Sequence, residues 1–335
     1  MISMKSVKNV GQIRQIRERR LKMSELSDRC RRDFAAGDMV RDADLKTPDD
    51  IKRYDDIRYG EDDKYNLLDV YRPKAYGDIG EGTAKELPVI AIIHGGAWVY
   101  GDKEVYQYYA MSLAQRGFAV VNFSYRLAPE NKFPAQLEDI CAVFRWMDEN
   151  RGKYGLDTDN VFAVGDSAGG HLLGLFADLY SNDEYLKALK EKYKKADFTL
   201  PLKGKEHAVK LKAVGLNCGK YDLTRNNASD PDTPKMMVDF LEGAGTKEEY
   251  ALTDVTRHVT KDFPPAFIMT CPGDFLKYQA PFMADTLMEN SVPFVYRFYG
   301  DDKDPRHHVF HCNMHLESAK ICNDDECGFF KRFTD

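Results

Sequence analysis

Short runs of continuous apolar sequence alternate along this chain with stretches whose apolar residues recur at helical spacing, and few folds accept that pattern. Residues 87–93, 118–123, 161–164, 211–216, 266–271 and 294–298 are such runs. A strand that is apolar at nearly every position is buried on both faces. Residues 135–147 set Leu137, Ile140, Cys141, Phe144 and Met147 on one side of a helix, and 172–179, 281–288 and 313–333 also read as helices. Strands alternating with helices imply a mostly parallel sheet with helices on both faces, an α/β fold. Function in such sheets gathers at the carboxyl ends of strands. A further strand, 67–71, ends near Pro73, and 77–85 is a turn-rich connection.

The 335 residues, 43% of them hydrophobic, can build a sizeable core. They are read as one large domain over 1–335. The net charge of -6 comes from mixed signs, so no concentrated basic face points to nucleic acid. No apolar run approaches the roughly 18 residues of a membrane helix, and the basic, polar N-terminus is not a secretory signal. Seven scattered cysteines, with Cys322 and Cys327 lacking zinc-site spacing, read as reduced thiols of a cytoplasmic protein.

Residues 1–50 are charged and read as helical, with Val10, Ile13, Ile16 and Leu21 at roughly helical spacing. The basic stretch 14–22 is taken as the solvated face of a helix lying on its own protein, ahead of a membrane contact. Two stretches break the alternation. Residues 182–210 suggest one helix plus a loop. Residues 222–265 follow a strand end and suggest part of a lid.

The chemistry starts at residues 165–170, Gly-Asp-Ser-Ala-Gly-Gly, between a predicted strand and a predicted helix. A sharp strand-to-helix turn holds Ser167 in a strained backbone geometry with its hydroxyl clear of the chain, and the glycines leave room for it. The helix N-terminus behind it offers unpaired N–H groups and partial positive charge. Residues 94–98, His-Gly-Gly-Ala-Trp, follow the strand 87–93. Their backbone N–H groups can approach an oxyanion closely. Gly95, Gly96, Ala97 and Ala168 are therefore the candidate oxyanion hole, with Gly96, Ala97 and Ala168 the best donors. His94 reads as a loop-holding residue. Trp98 either walls the substrate pocket or packs in the core.

A nucleophilic serine needs a base, and the base needs an orienting acid. On this kind of sheet they follow in the order Ser, Asp or Glu, His. Asp274 comes just after the strand 266–271 and His308 in a loop after 294–298; Asp222 is the competing acid. His307, His308, His311 and His315 crowd one segment, and His311 and His315 could share a helix face as metal ligands. No supporting acid or cysteine pattern accompanies them, so no metal is assigned.

These residues together resemble the hormone-sensitive-lipase-like branch of the α/β-hydrolases, esterases with an HGG loop and a GDSAGG elbow. Residues 94–98 and 165–170 match those two motifs. Residues 125–130 (Tyr-Arg-Leu-Ala-Pro-Glu) and 133–135 (Phe-Pro-Ala) match the segment between them. Asp274-Phe275-Leu276 is similar to the family's acid motif, and His308-Val309-Phe310 to its His-x-Phe. The resemblance runs from about Leu67 to the C-terminus. It implies an α/β-hydrolase fold, a Ser167–His308–Asp274 triad, no cofactor, and a helical cap, to which 1–50 and part of 222–265 could contribute. It favours His308 over His307. Ala97 stands where the family usually has a third glycine, and Tyr278 where it has a second acid.

The expected activity is hydrolysis of short acyl, acetyl-type esters of small molecules, with no nucleic acid and no membrane span; a homodimer is compatible with it. Two rival readings remain at this stage. One is an amidase-like hydrolase such as a kynurenine formamidase. The other is a non-catalytic ligand-binding protein of the same fold.

Overall fold

The computed structural model describes residues 24–77, 79, 85–204 and 206–335. Val10, Ile13, Ile16, Leu21 and the basic stretch 14–22 lie outside the described residues, as does most of the turn-rich connection at 77–85. The described chain carries ten strands: β1 (Ile51–Arg58), β2 (Leu67–Pro73), β3 (Leu87–Ile93), β4 (Ala119–Phe123), β5 (Leu156–Asp166), β6 (Leu202–Lys203), β7 (Glu206–His207), β8 (Leu211–Asn217), β9 (Ala266–Thr270) and β10 (Phe294–Phe298). Eight of them form one sheet in the order β1-β2-β4-β3-β5-β8-β9-β10, and β6–β7 is a separate hairpin. β2 runs antiparallel to both β1 and β4; every other pair in the large sheet is parallel. This is the α/β-hydrolase architecture the motifs implied.

Side-chain alternation divides the core in two. From β3, Val89, Ala91 and Ile93 join the cluster under the helices Ala135–Tyr154 and Ala168–Ser181. Ile90 and Ile92 point to the opposite face, against the helices Gln107–Ala114 and Glu317–Lys331. All five side chains are fully buried. At about 1.5–3 kcal/mol for each buried aliphatic side chain, a central strand apolar on both faces is the strongest single determinant of this layering.

Several elements differ from the sequence expectation. β1 is an added antiparallel edge strand. The helix Gln107–Ala114 was unmarked in the sequence, and the supposed lid at 222–265 contains the helices Thr233–Phe240 and Lys247–Leu252. The C-terminal helix begins only at Glu317, because residues 310–312 form a 3-10 turn. All seven cysteines are free thiols. No described helix is long and apolar enough to cross a membrane.

The helix Ala168–Ser181 also buries Asp178, whose two carboxylate oxygens have no hydrogen-bond partner among the described residues. Burial, reinforced by the nearby Asp254 charge, pushes its pKa well above the ordinary 3.8. The folded chain therefore holds a proton there that the unfolded chain releases above pH about 4, and stability falls as pH rises through that window. Asp178→Asn removes the titration. Its melting temperature is expected to match the parent near pH 4 and to exceed it increasingly towards pH 8, read by thermal melts across pH; a constant difference would contradict the buried proton.

Candidate active site

Parallel register gathers the functional loops at one edge. Ile93 of β3 pairs with Gly165 of β5, Asp166 of β5 with Asn217 of β8, Asn217 with Met269 of β9, and Thr270 of β9 with Phe298 of β10. Residues 94–98, Ser167, Asp274 and His308 all follow those strand ends.

Ser167 stands at φ 55°, ψ -119°, directly after β5 and at the N-cap of the helix Ala168–Ser181. The close approach at this turn explains its glycines. A Cβ on Gly169 would lie 2.0 Å from the Ile93 carbonyl oxygen, and one on Gly165 would lie 2.5 Å from the Gly169 carbonyl oxygen. Both contacts are backbone, so neither can yield cheaply. The Ser167 N–H donates to the Asn217 carbonyl at 3.0 Å, and its carbonyl accepts from His171 and Lys220. The turn is thus fixed by main chain alone, leaving the hydroxyl free to face the cavity.

Asp274 and His308 are brought together: His308 Nδ1 lies 2.6 Å from Asp274 Oδ1. That carboxylate is buried. It also accepts from Leu276 N–H on Oδ1 at 2.8 Å and from Thr270 Oγ1 on Oδ2 at 2.7 Å. Burial alone would raise the Asp274 pKa, but the His308 ring and these donors together hold it below the ordinary value. The Phe275 ring sits 4.4 Å from the His308 ring and limits its swing. His308 and Ser167 line the same cavity, and no direct hydrogen bond joins them among the described residues. Such bonds commonly tighten only when substrate arrives.

The rival residues are engaged elsewhere. Asp222 spends Oδ1 on the Thr224 N–H and hydroxyl and Oδ2 on Arg225. His307 is exposed and outside the cavity linings. His311 is buried with its pKa pulled down to about 3 by desolvation. His315 is exposed, its ring against the Ala43 carbonyl at 3.1 Å. His311 lies in the 3-10 turn and His315 precedes the last helix, so the shared helix face does not form.

Residues 94–98 depart from the sequence expectation at one position. Gly95 N–H donates to the Tyr106 hydroxyl at 2.8 Å, so it is not free to hold an oxyanion. The N–H groups of Gly96, Ala97 and Ala168 carry no hydrogen bond within the described residues. Gly96 adopts φ 109° and a Cβ there would lie 2.2 Å from the Tyr100 carbonyl oxygen; Ala97 and Trp98 are also left-handed, at φ 52° and 62°. His94, stacked on Tyr125 at 3.9 Å, places Nδ1 2.8 Å from the Gly95 carbonyl. Asp166, buried beside Ser167, has its pKa raised to about 6 by desolvation, against the lowering effect of a Tyr106 hydrogen bond. The Tyr106 connection could not be read from the sequence.

Trp98 both packs and lines. Its ring stacks on Phe240 at 4.7 Å, and its Nε1–H donates to His171 Nδ1 at 3.2 Å. Desolvation pulls the His171 pKa down to about 4, which keeps that nitrogen an acceptor.

Two cavities meet at Ser167. One, of about 260 Å³, runs under His308, Val309, Tyr100 and Arg41. The other, of about 340 Å³, runs between Trp98, Ala168, Lys220 and Met236. Asp33, Phe34, Ala97 and Phe275 border both. The helix Glu25–Arg41 is clamped over them. Ser24 Oγ donates to Asp239 at 2.6 Å, while Arg31 pairs with Glu130 at 2.7 Å and donates to the Val99 carbonyl at 2.7 Å. Glu130, of the Tyr-Arg-Leu-Ala-Pro-Glu segment, thus anchors that helix, and Arg126 is paired with Asp139 at 2.9 Å.

Fold and elbow together define an α/β-hydrolase carrying the motifs of the hormone-sensitive-lipase-like branch. Residues 68–276 match the BD-FAE family profile, and the chain belongs to that family. It is 31% identical over 211 residues to esterase LipC of Mycobacterium tuberculosis, covering 61% of this chain and 47% of that protein. It is 28% identical to the versiconal hemiacetal acetate esterase of Dothistroma septosporum, covering 65% and 66%. The chain spans about half the length of several curated relatives it matches. Among solved structures, esterase B of Lactobacillus rhamnosis superposes with a TM-score of 0.77 at 25% identity, over 90% of this chain and 91% of that one. The same enzyme inhibited by a C4-C4 tributyrin phosphonate superposes at 0.75.

Proposed function

We propose that this chain is a serine carboxylesterase that cleaves short acyl esters of small molecules through an acyl-enzyme. The observation that carries the reading is the gathering around Ser167 of its own strained turn, the 2.6 Å His308–Asp274 pair and the uncommitted N–H groups of Gly96 and Ala97 at one cavity, with the Ala168 N–H at the adjoining one. In the first half-reaction His308 takes the Ser167 proton as Oγ attacks the ester carbonyl. Gly96, Ala97 and Ala168 hold the oxyanion, and Asp274 stabilises the imidazolium. His308 then protonates the departing alcohol, and water reverses the sequence to free the acid.

The proton path assigns the two cavities. The alcohol must leave beside His308, so the 260 Å³ cavity takes the leaving group. The 340 Å³ cavity takes the acyl chain. The acyl cavity meets Met236 and the buried Lys220–Asp230 ion pair, 2.7 Å long. A charge pair already satisfied by its own partners offers nothing to a longer alkyl chain. Esterase B is described with both C4-C4 and C6-C4 SN3 inhibitors, which is in keeping with acyl groups of a few carbons. The helix Glu25–Arg41 with the helix Thr233–Phe240 serves as the cap in this reading, within a single domain.

The test is fluorophosphonate labelling of the chain together with turnover of p-nitrophenyl esters from two to twelve acyl carbons. Labelling is expected, with kcat/KM greatest at two to four carbons and falling steeply beyond. Met236→Ala should move that optimum to longer chains. Absence of both labelling and ester turnover would overturn the proposal, and faster turnover of N-formylkynurenine than of any ester would replace it with a formamidase.

A further inference from the structure

We infer that Tyr106 is a positioning residue for the oxyanion hole, tying the loop that supplies Gly96 and Ala97 to the residue before the nucleophile. The inference rests on the esterase reading for its catalytic consequence, while its geometry stands apart from it. Tyr106 is buried at the start of the helix Gln107–Ala114. Its hydroxyl accepts from Gly95 N–H at 2.8 Å and donates to Asp166 Oδ2 at 2.8 Å. A phenol has a single proton. With a lone pair taken by Gly95, that proton goes to Asp166, and both bonds acquire a fixed direction.

The two ends of this relay are adjacent to the working parts. Gly95 precedes Gly96, and Asp166 precedes Ser167. The fit is tight: a Cβ on Gly95 would lie 2.5 Å from Asp166 Oδ2 and 2.9 Å from the Tyr106 hydroxyl. Without the phenol oxygen, Gly95 N–H and Asp166 would both be buried without that partner. The loop would then be free to rotate the Gly96–Ala97 peptide, whose left-handed backbone has little intrinsic preference to hold it. Tyr106 is thus the link through which elbow and oxyanion loop keep their relative placement.

Tyr106→Phe keeps the ring and removes only the oxygen. It is expected to lower kcat about 10- to 100-fold with KM little changed, since the interaction lost is one realised in the transition state. Affinity for a trifluoromethyl ketone should fall by the same factor. Asp166→Asn retains an acceptor oxygen and should stay close to the parent, whereas Asp166→Ala should resemble Tyr106→Phe. The double variant Tyr106→Phe/Asp166→Ala should fall no further than either single one. A shifted Gly95 amide resonance in Tyr106→Phe reports the broken link whether or not the protein hydrolyses esters. An unmoved Gly95 resonance, unchanged kcat in an active enzyme, or multiplicative losses in the double variant would each overturn the inference. Loss of turnover and labelling in the parent would instead count against the esterase reading alone.

Discussion

Ser167→Ala is expected to abolish fluorophosphonate labelling and to lower kcat by about 10⁶-fold while leaving the fold intact. The chemical half of that expectation follows from the proposed mechanism: without Oγ no acyl-enzyme forms, and only the oxyanion hole and binding remain to accelerate attack by water. The structural half follows from the turn. Its hydrogen bonds are made by the Ser167 main chain, through Asn217, His171 and Lys220, and the side chain takes part in none of them. Alanine at φ 55° is strained to the same degree as serine, so the substitution adds no new backbone cost. Melting temperature, labelling and turnover measured on one preparation separate the two halves. A variant that melts like the parent yet retains label or near-normal turnover would remove Ser167 from the mechanism.

The legibility of this site varied with how locally its physics is encoded. The elbow could be read because much of its steric demand sits in the same six residues as Ser167: a Cβ on Gly165 would meet the backbone of Gly169 and Gly170 across the turn. The order of strands carried Asp274 and His308 to the sheet edge where Ser167 stands, and the family likeness chose His308 over its exposed neighbour His307. The commitment of the Gly95 N–H is not legible because its acceptor, Tyr106, is eleven residues away in the chain. Nothing in a glycine-rich string says which N–H groups are already committed.

The fold was legible where burial is two-sided and obscure where it is not. β3 declares itself by apolar residues at every position, whereas β1 is an edge strand with Ile51, Tyr54 and Ile57 three apart. Its register shifts between Tyr54 and Ile57, and a bulge there breaks the period of two that identifies a half-buried strand. The helix Gln107–Ala114 is buried on nearly all sides from Tyr109 onward, so it lacks the polar stripe that marks a surface helix. The helix Thr233–Phe240 has no side-chain cap, and in a polar stretch its eight residues look like loop.

Asp274→Asn is expected to lower kcat by about 10³-fold, with Asp222→Asn close to the parent. The size follows from which atom of the amide faces the ring. Oδ1 of Asp274 accepts from the Leu276 N–H at 2.8 Å as well as from His308, and a main-chain donor cannot reverse its role. An amide nitrogen at that position would meet two donors, so the asparagine should present its oxygen there. Its NH₂ then turns to the Thr270 hydroxyl, which can rotate to accept. The imidazole accordingly keeps Nδ1–H and the productive tautomer; what disappears is the negative charge that stabilises the imidazolium. Where the amide nitrogen faces the ring instead, the tautomer is lost too, and falls of about 10⁴-fold result. Thr270→Val combined with Asp274→Asn separates the cases, because it deletes the hydroxyl that receives the NH₂. If orientation matters as argued, the double variant falls further than the product of the two single effects. If Asp274→Asn alone turns over at the parent rate while Asp222→Asn does not, the acid has been assigned to the wrong strand.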